Sequence, residues 1–280
     1  MNRSEETFCI LSCYPKTSRE KFAASDVGQP HELFARLLQN HRPGAAVETV
    51  FLADTDAPVP DEAGVDAFKG FLWTGSDLTI YDKKDPRVDR QIAFAKTLFA
   101  RGAQSYGSCW ALQMAAMAAG GEVQKNPKGR EWGLARAVRP TAAGKKSPLL
   151  AGKPEVYDAF IMHLDEVTRL PSGADNLASN DHTQVQAAIV AQGKSRFWAT
   201  QYHCEYDFHE MARLLKARSA PLVKEGFFAR EADVAAYAAD MTALHANPSS
   251  PLLREKLQVG DDVVSPAVRE REFKNWIDQL

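Results

Sequence analysis

The chain has 280 residues, with 34 Lys and Arg against 36 Asp and Glu, a formal net charge of −2, and 45% hydrophobic residues. That balance excludes the electrostatic footprint of a nucleic-acid binder or of a protein drawn to an anionic membrane, and the apolar content excludes a disordered chain. Cys9, Cys13, Cys109 and Cys204 are too few and too scattered for a disulfide framework, and no second Cys pair has zinc spacing.

The N-terminus MNRSEETFCILSCY carries two early glutamates and a short apolar run. A secretory signal needs a basic start and a longer apolar stretch, and no window approaches the ~18 consecutive apolar residues of a membrane span. The expectation is a reduced, cytoplasmic protein with one large α/β domain or two small ones. Phe8 to Leu11 reads as a buried strand, Glu32 to Gln39 as an amphipathic helix, and Val47 to Leu52 as a second strand. Phe68 to Trp73 is a third strand, running into Thr74-Gly75-Ser76. Asp85 can cap a helix with Pro86 in its first turn, and Ile92, Phe94, Ala95, Leu98 and Phe99 follow at roughly helical spacing. The run Gly102 to Ser105 is less apolar than a buried central strand should be.

A second block, about residues 131 to 205, is richer in strand patterns: Trp132 to Val138, Ala159 to Met162, Val185 to Val190 and Arg196 to Tyr202. Glu210 to Ala217, Phe227 to Ala246 and Pro266 to Ile277 then read as helices. The stretch Asn247 to Pro251 resembles a linker, so the last 30 residues read as a loosely tied appendage. Strands alternating with helices predict an α/β fold with a mostly parallel sheet and a C-terminal helical extension.

Two segments carry chemistry. In Tyr106-Gly107-Ser108-Cys109-Trp110-Ala111, small residues flank a nucleophile-type side chain and an Ala/Met-rich helix follows. A tight strand-to-helix turn needs small neighbours, and the helix N-terminus favours a thiolate and offers free N–H groups to an oxyanion. The plainer alternative is a buried cysteine that happens to start a helix. In Gln201-Tyr202-His203-Cys204-Glu205, residues two apart at a strand end face the same way, so Glu205 can orient the imidazole of His203 toward Cys109. The alternative there is a His–Glu pair that only tops off a strand. His203 and His209 at i and i+6 fit no common zinc pattern, His31 suits a helix start, and Met114 with Met117 reads as core.

Together these segments resemble the class I glutamine amidotransferases. That family's Gly-x-Cys-x-Gly-x-Gln motif stands here as Gly107, Cys109, Ala111 and Gln113, and its His-Pro-Glu motif as His203-Cys204-Glu205. Trp73 to Ser76 with Tyr81-Asp82 is similar to the oxyanion loop of the branch that includes the amidotransferase domain of GMP synthase. Gly120 to Val123, Asn126 to Gly129, and His163 to Val167 with Leu170-Pro171 and Leu177 to Ser179 continue the match, which covers roughly residues 7 to 215. The resemblance implies a flavodoxin-like domain over residues 1–218 and a helical extension over 219–280.

It further implies that Cys109, His203 and Glu205 form a triad that cleaves the side-chain amide of glutamine or another γ-glutamyl amide through a γ-glutamyl thioester. By the same resemblance, Gly75 and Trp110 supply the oxyanion N–H groups, and Gln113, Tyr81 and His163 serve the substrate pocket. No cofactor or metal is implied. Two departures stand out: the Ala111 methyl is expected to crowd the substrate or tilt the helix, and Cys204 gives up the fixed φ of proline. About 65 residues follow the match, too few for an ATP-activating domain. Three readings follow: an amidotransferase subunit or stand-alone glutaminase whose synthetase or acceptor subunit is a separate chain, a γ-glutamyl hydrolase or peptidase acting alone on γ-glutamyl amides or peptides, and a non-catalytic binding module. The C-terminal helices have three open roles: capping the site, covering a sheet face, or building a homodimer interface.

Overall fold

The computed structural model describes residues 6–82 and 84–280. Residues 1–5, which begin the segment read as lacking a secretory signal, lie outside the described residues. The strands are β1 (Thr7–Leu11), β2 (Ala46–Val50), β3 (Gly70–Trp73), β4 (Gln104–Ser108), β5 (Glu122–Lys125), β6 (Glu131–Pro140), β7 (Tyr157–His163), β8 (Asp165–Arg169), β9 (Ala174–Ser179), β10 (Ala187–Gln192) and β11 (Ser195–Thr200). The helices of the first part are α1 (Lys16–Ala24), α2 (Pro30–His41), α3 (Glu62–Val65), α4 (Pro86–Arg101), α5 (Trp110–Ala118) and α6 (Phe208–Ala217). The C-terminal region adds α7 (Ser219–Lys224), α8 (Glu231–Ala246), α9 (Pro251–Leu257), α10 (Asp261–Val264), α11 (Pro266–Arg269) and α12 (Arg271–Asp278).

Nine strands form one sheet in the order β2-β1-β3-β4-β11-β10-β9-β6-β7, and β5 pairs with β8 in a separate ribbon. The run from β2 to β11 is parallel throughout. From β11 onward neighbours alternate in direction, so seven of the nine strands point the same way. On one face α4 and α5 bury Phe94, Leu98, Leu112 and Met114 against Trp73 and Phe197. On the other, α2 and α12 bury Phe34, Leu38, Phe273 and Trp276.

Local chemistry explains the key elements. The Asp85 carboxylate accepts the Arg87 N–H at 3.0 Å, Pro86 begins α4, and Gly102 ends it at φ 72°. β4 is central in spite of its polar sequence, because its side chains answer to what surrounds them. A Cβ on Gly107 would lie 2.5 Å from both the Ala111 Cβ and the Trp73 carbonyl oxygen. Tyr106 Oη pairs with the Cys204 thiol at 3.1 Å.

Several expectations need correction. The helix expected from Phe227 begins at Glu231, and the one expected over 266–277 is interrupted at Glu270. β5, β8 and β9 went unread because their short sequences mix charge and polarity without clean alternation.

The last 30 residues are not loosely tied. Phe273 and Trp276 are buried, and a Cβ on Gly70 would sit 2.9 Å from the Trp276 ring, so the strand is bare there to admit it. Glu272 is fully buried, ion-paired with Lys153 at 3.0 Å, and accepts the Tyr202 hydroxyl. The C-terminal helix therefore covers a sheet face and grips the residue just before His203.

Candidate active site

β4 stops at Ser108 and α5 starts at Trp110, which leaves Cys109 alone at the turn with φ 57° and ψ −99°. A non-glycine residue held there stores strain, and such strain persists only where the surroundings over-determine it. Here the Cys109 N–H is fixed to the Thr200 carbonyl at 2.7 Å, and Gly107 lets Trp73 and Ala111 close in beneath the turn. The thiol, nearly buried, lies 3.6 Å from the Met162 carbonyl oxygen and shares a hydrogen bond with His203.

His203 does not end a strand: β11 stops at Thr200, so side-chain alternation is not what pairs it with Glu205. The connecting loop does that work. Thr200 Oγ1 donates to the Tyr202 carbonyl at 2.7 Å, and the His203 N–H donates to the Phe160 carbonyl at 2.7 Å. His203 Nδ1 then meets Glu205 Oε1 at 2.6 Å, and Ser108 Oγ donates to Glu205 Oε2 at 2.8 Å. The imidazole stacks on Tyr206, with ring centroids 4.2 Å apart and planes 5° from parallel. Burial alone would lower the His203 pKa, but the Glu205 charge and the bonds to Cys109 and Glu205 outweigh it and lift it to about 10. The ring is therefore an imidazolium at neutral pH, a proton donor beside the thiol.

The remaining site residues identified in the sequence fall into two groups. Gly75 lies over the imidazole: a Cβ there would sit 3.3 Å from His203 Cε1 and 3.4 Å from Tyr14 Oη. Its loop is pinned, since Thr74 Oγ1 accepts the Cys13 N–H at 2.9 Å and Ser76 Oγ donates to the Cys13 carbonyl at 2.8 Å. Trp110 is the first residue of α5, where N–H groups lack intrahelical partners.

Gln113 and His163 line the same cavity of about 360 Å³ as Cys109. Gln113 Nε2 donates to the Asp165 carbonyl at 2.8 Å, which also meets His163 Nδ1 at 2.9 Å. His163 Nε2 pairs with Glu131 at 3.0 Å, so both its ring nitrogens are engaged by protein partners. Tyr81 is not among the lining residues and reaches the cavity only through a 2.9 Å bond to Asp165.

Both residues that depart from the family motif pack into the core. Ala111 is fully buried with its methyl toward Gly107, and it is not among the residues that line the cavity. The thiol of Cys204 meets Tyr106 Oη in a core cluster that also holds Phe273 and Trp276. Burial pushes the Cys13 and Cys204 thiols well up, which leaves them poor nucleophiles.

Sequence reasoning missed Ser108, Tyr14, the Glu131 network and Arg218. Ser108 directly precedes Cys109, which was a usable signal. The others are brought in from distant segments and leave none. Glu131 accepts from Asn180, Thr183 and Gln186 as well as His163. Burial works to raise its pKa, but the His163 and Asn180 bonds prevail and hold it below the usual carboxylate range. Among the described residues, no group of three or more His, Cys, Asp or Glu side chains is arranged to hold a metal ion.

Comparison with known proteins agrees with this geometry. The sequence profile for glutamine amidotransferase class-I matches residues 82–218. The gamma-glutamyl-L-1-hydroxyisopropylamide hydrolase of a Pseudomonas species is 34% identical over 282 residues, covering 98% of this chain and 94% of that protein. The GMP synthase of Leifsonia xyli is 34% identical over 143 residues, which are 50% of this chain but only 26% of the synthase. A glutamine amidotransferase from Thermotoga maritima superposes with a TM-score of 0.66 at 14% identity, covering 96% of this chain and 98% of that one. A glutamine amido transferase from Methylobacillus flagellatus gives 0.64 at 20% identity, covering 99% and 95%. These two likenesses show that the whole fold, C-terminal helices included, is shared.

Proposed function

Because the chain belongs to the class I glutamine amidotransferase family, whose enzymes hydrolyse the γ-glutamyl amide bond, we propose that Cys109, His203 and Glu205 are its catalytic triad and that it works alone as a γ-glutamyl amide hydrolase. One observation carries the assignment: His203 bridges the strained Cys109 thiol and the Glu205 carboxylate, with Glu205 held in turn by Ser108. The Cys109 thiolate attacks the γ-carbonyl carbon, and the negative charge that develops on its oxygen is met by the N–H groups of Gly75 and Trp110. The C–N bond breaks as the His203 imidazolium protonates the departing amine, leaving a γ-glutamyl thioester. Water then gives one proton to His203, its oxygen displaces the thiolate, and glutamate leaves.

Action without a partner is supported by the Pseudomonas hydrolase, which matches this chain over nearly the length of both. The GMP synthase relatives support the second reading, a glutaminase half paired with a separate synthetase or acceptor subunit, but the match spans only about a quarter of their length. In our reading residues 1–218 are the amidotransferase-like domain, and 219–280 are a helical extension that shares its core. A cytoplasmic setting is supported by four free cysteines, and among the described residues no helix is long and apolar enough to cross a membrane.

The test is glutamate release by the purified chain from glutamine and from γ-glutamyl-L-1-hydroxyisopropylamide, with peptide mapping after an electrophilic glutamine analogue. Release without added protein, with one substrate-protected adduct on Cys109, is the expected result. Absence of both release and adduct would overturn the assignment, and release only on adding a synthetase subunit would favour the second reading.

A further inference from the structure

Tyr14 stands beside the proposed triad, and no step of the proposed hydrolysis uses it. It is only 5% exposed, lines the same cavity of about 360 Å³ as Cys109, and meets Phe22 edge to face at 5.0 Å. Tyr106, Tyr157 and Tyr202, in the core, engage their hydroxyls with Cys204, with each other and with Glu272. The Tyr14 hydroxyl, by contrast, makes no hydrogen bond to the protein among the described residues, and it is not sealed from solvent. An unpartnered hydroxyl on a buried side chain is costly unless something that enters the cavity completes it.

The position of His203 identifies that molecule. A Cβ on Gly75 would lie 3.4 Å from Tyr14 Oη and 3.3 Å from His203 Cε1, so the phenol oxygen and the imidazole edge face the same small space. Glu205 holds Nδ1 and the stacked Tyr206 ring covers one face, which leaves Nε2 as the working end of the imidazole. The departing amine and the incoming water use that end in turn. The amine is already positioned by the glutamyl group that carries it. Water has no such tether, and a water held by His203 alone is free to turn about its one hydrogen bond. A neutral phenol supplies the second contact. Burial, then the charges of Cys109 and Asp77, push the Tyr14 pKa well up, so its hydroxyl keeps its proton.

We infer that Tyr14 is a further catalytic residue, whose hydroxyl joins His203 in holding the water that hydrolyses the γ-glutamyl thioester. This rests on the proposed hydrolysis and adds a group to its second step. The water donates one hydrogen to His203 Nε2 and the other to Tyr14 Oη, which aims a lone pair at the thioester carbon. As the C–O bond forms and the C–S bond breaks, one proton passes to His203 and the Cys109 thiolate departs. The other leaves on the new carboxyl group, which ionises in water. Tyr14 neither gains nor loses a proton.

The experiment uses Tyr14→Phe, which keeps the ring and its contact with Phe22 and removes only the oxygen. Glutamine or γ-glutamyl-L-1-hydroxyisopropylamide is the substrate, with hydroxylamine at one fixed concentration, so that the thioester partitions between glutamate and γ-glutamyl hydroxamate. Hydroxylamine is a stronger nucleophile than water and depends less on being held. The ratio of hydroxamate to glutamate is therefore expected to rise about tenfold in the variant. That ratio is independent of how fast the thioester forms. Amine release in a single turnover, followed by rapid quench, should stay within about twofold of wild type. An unchanged ratio would overturn the role of Tyr14 and leave the hydrolase standing. Slower amine release at an unchanged ratio would place the hydroxyl in the first step and overturn it likewise. A wild type that releases neither amine nor glutamate from either substrate would sink the hydrolysis itself, and the held water with it.

Discussion

Ser108 Oγ donates to Glu205 Oε2 at 2.8 Å, while Oε1 of the same carboxylate holds His203 Nδ1 at 2.6 Å. Ser108 thus fixes the carboxylate that holds the imidazole, closing a ring of contacts from β4 through the loop after β11 and back to Cys109. Ser108→Ala should lower kcat roughly tenfold while leaving KM within about twofold, because it frees the orienting carboxylate and touches no substrate. An unchanged kcat in steady-state assays would mean that Glu205 keeps its place without the hydroxyl.

The pH dependence follows from His203. Its folded pKa of about 10 stands above the ordinary value of 6.5, so the folded state holds this proton more tightly than the unfolded chain does. Its contribution to stability is complete below about pH 6.5 and is lost as pH rises through 10. The same deprotonation removes the proton meant for the departing amine. Glu205→Gln deletes the chief force raising the pKa, so the alkaline limb of the kcat profile should move to lower pH. A limb in the same place would show that another group titrates there.

Cys109 sits at φ 57°, where an L side chain is strained and glycine is not. Cys109→Ser should abolish turnover and change stability by less than ~1 kcal/mol, since size and surroundings are kept. Cys109→Gly should be equally inactive and no less stable than the serine variant, because relief of roughly 1–3 kcal/mol of strain offsets the lost side chain. A glycine variant more than ~2 kcal/mol weaker in urea unfolding would mark the cysteine as a packing residue.

Glu272 and Lys153 are both fully buried, and Tyr202 donates to the same carboxylate. Glu272→Ala leaves a buried ammonium unpaired, which costs about 3–5 kcal/mol, and it frees the backbone next to His203. Loss of thermal stability together with a fall in kcat is expected. A normal melting temperature would mean that α12 is not part of the core it covers.

The sequence alone carried the turn at Cys109 and the order of the early elements, because both rest on local chemistry. Gly107, two residues before Cys109, has no room for a side chain, and Asp85-Pro86 followed by an apolar stripe opens α4. The pairing of His203 with Glu205 was legible as well, because the two stand only two residues apart in one motif. What the sequence could not carry is long-range. The polar strand β4 is central because Gly107 must admit Trp73 and Ala111. The last helix belongs to the core because Gly70 admits Trp276, with no sign of that contact in either segment. Arg218 reaches the cavity only through the packing of α6 and α7. Local rules concern neighbours along the chain, while these features depend on which distant surfaces meet, and tertiary packing alone decides that.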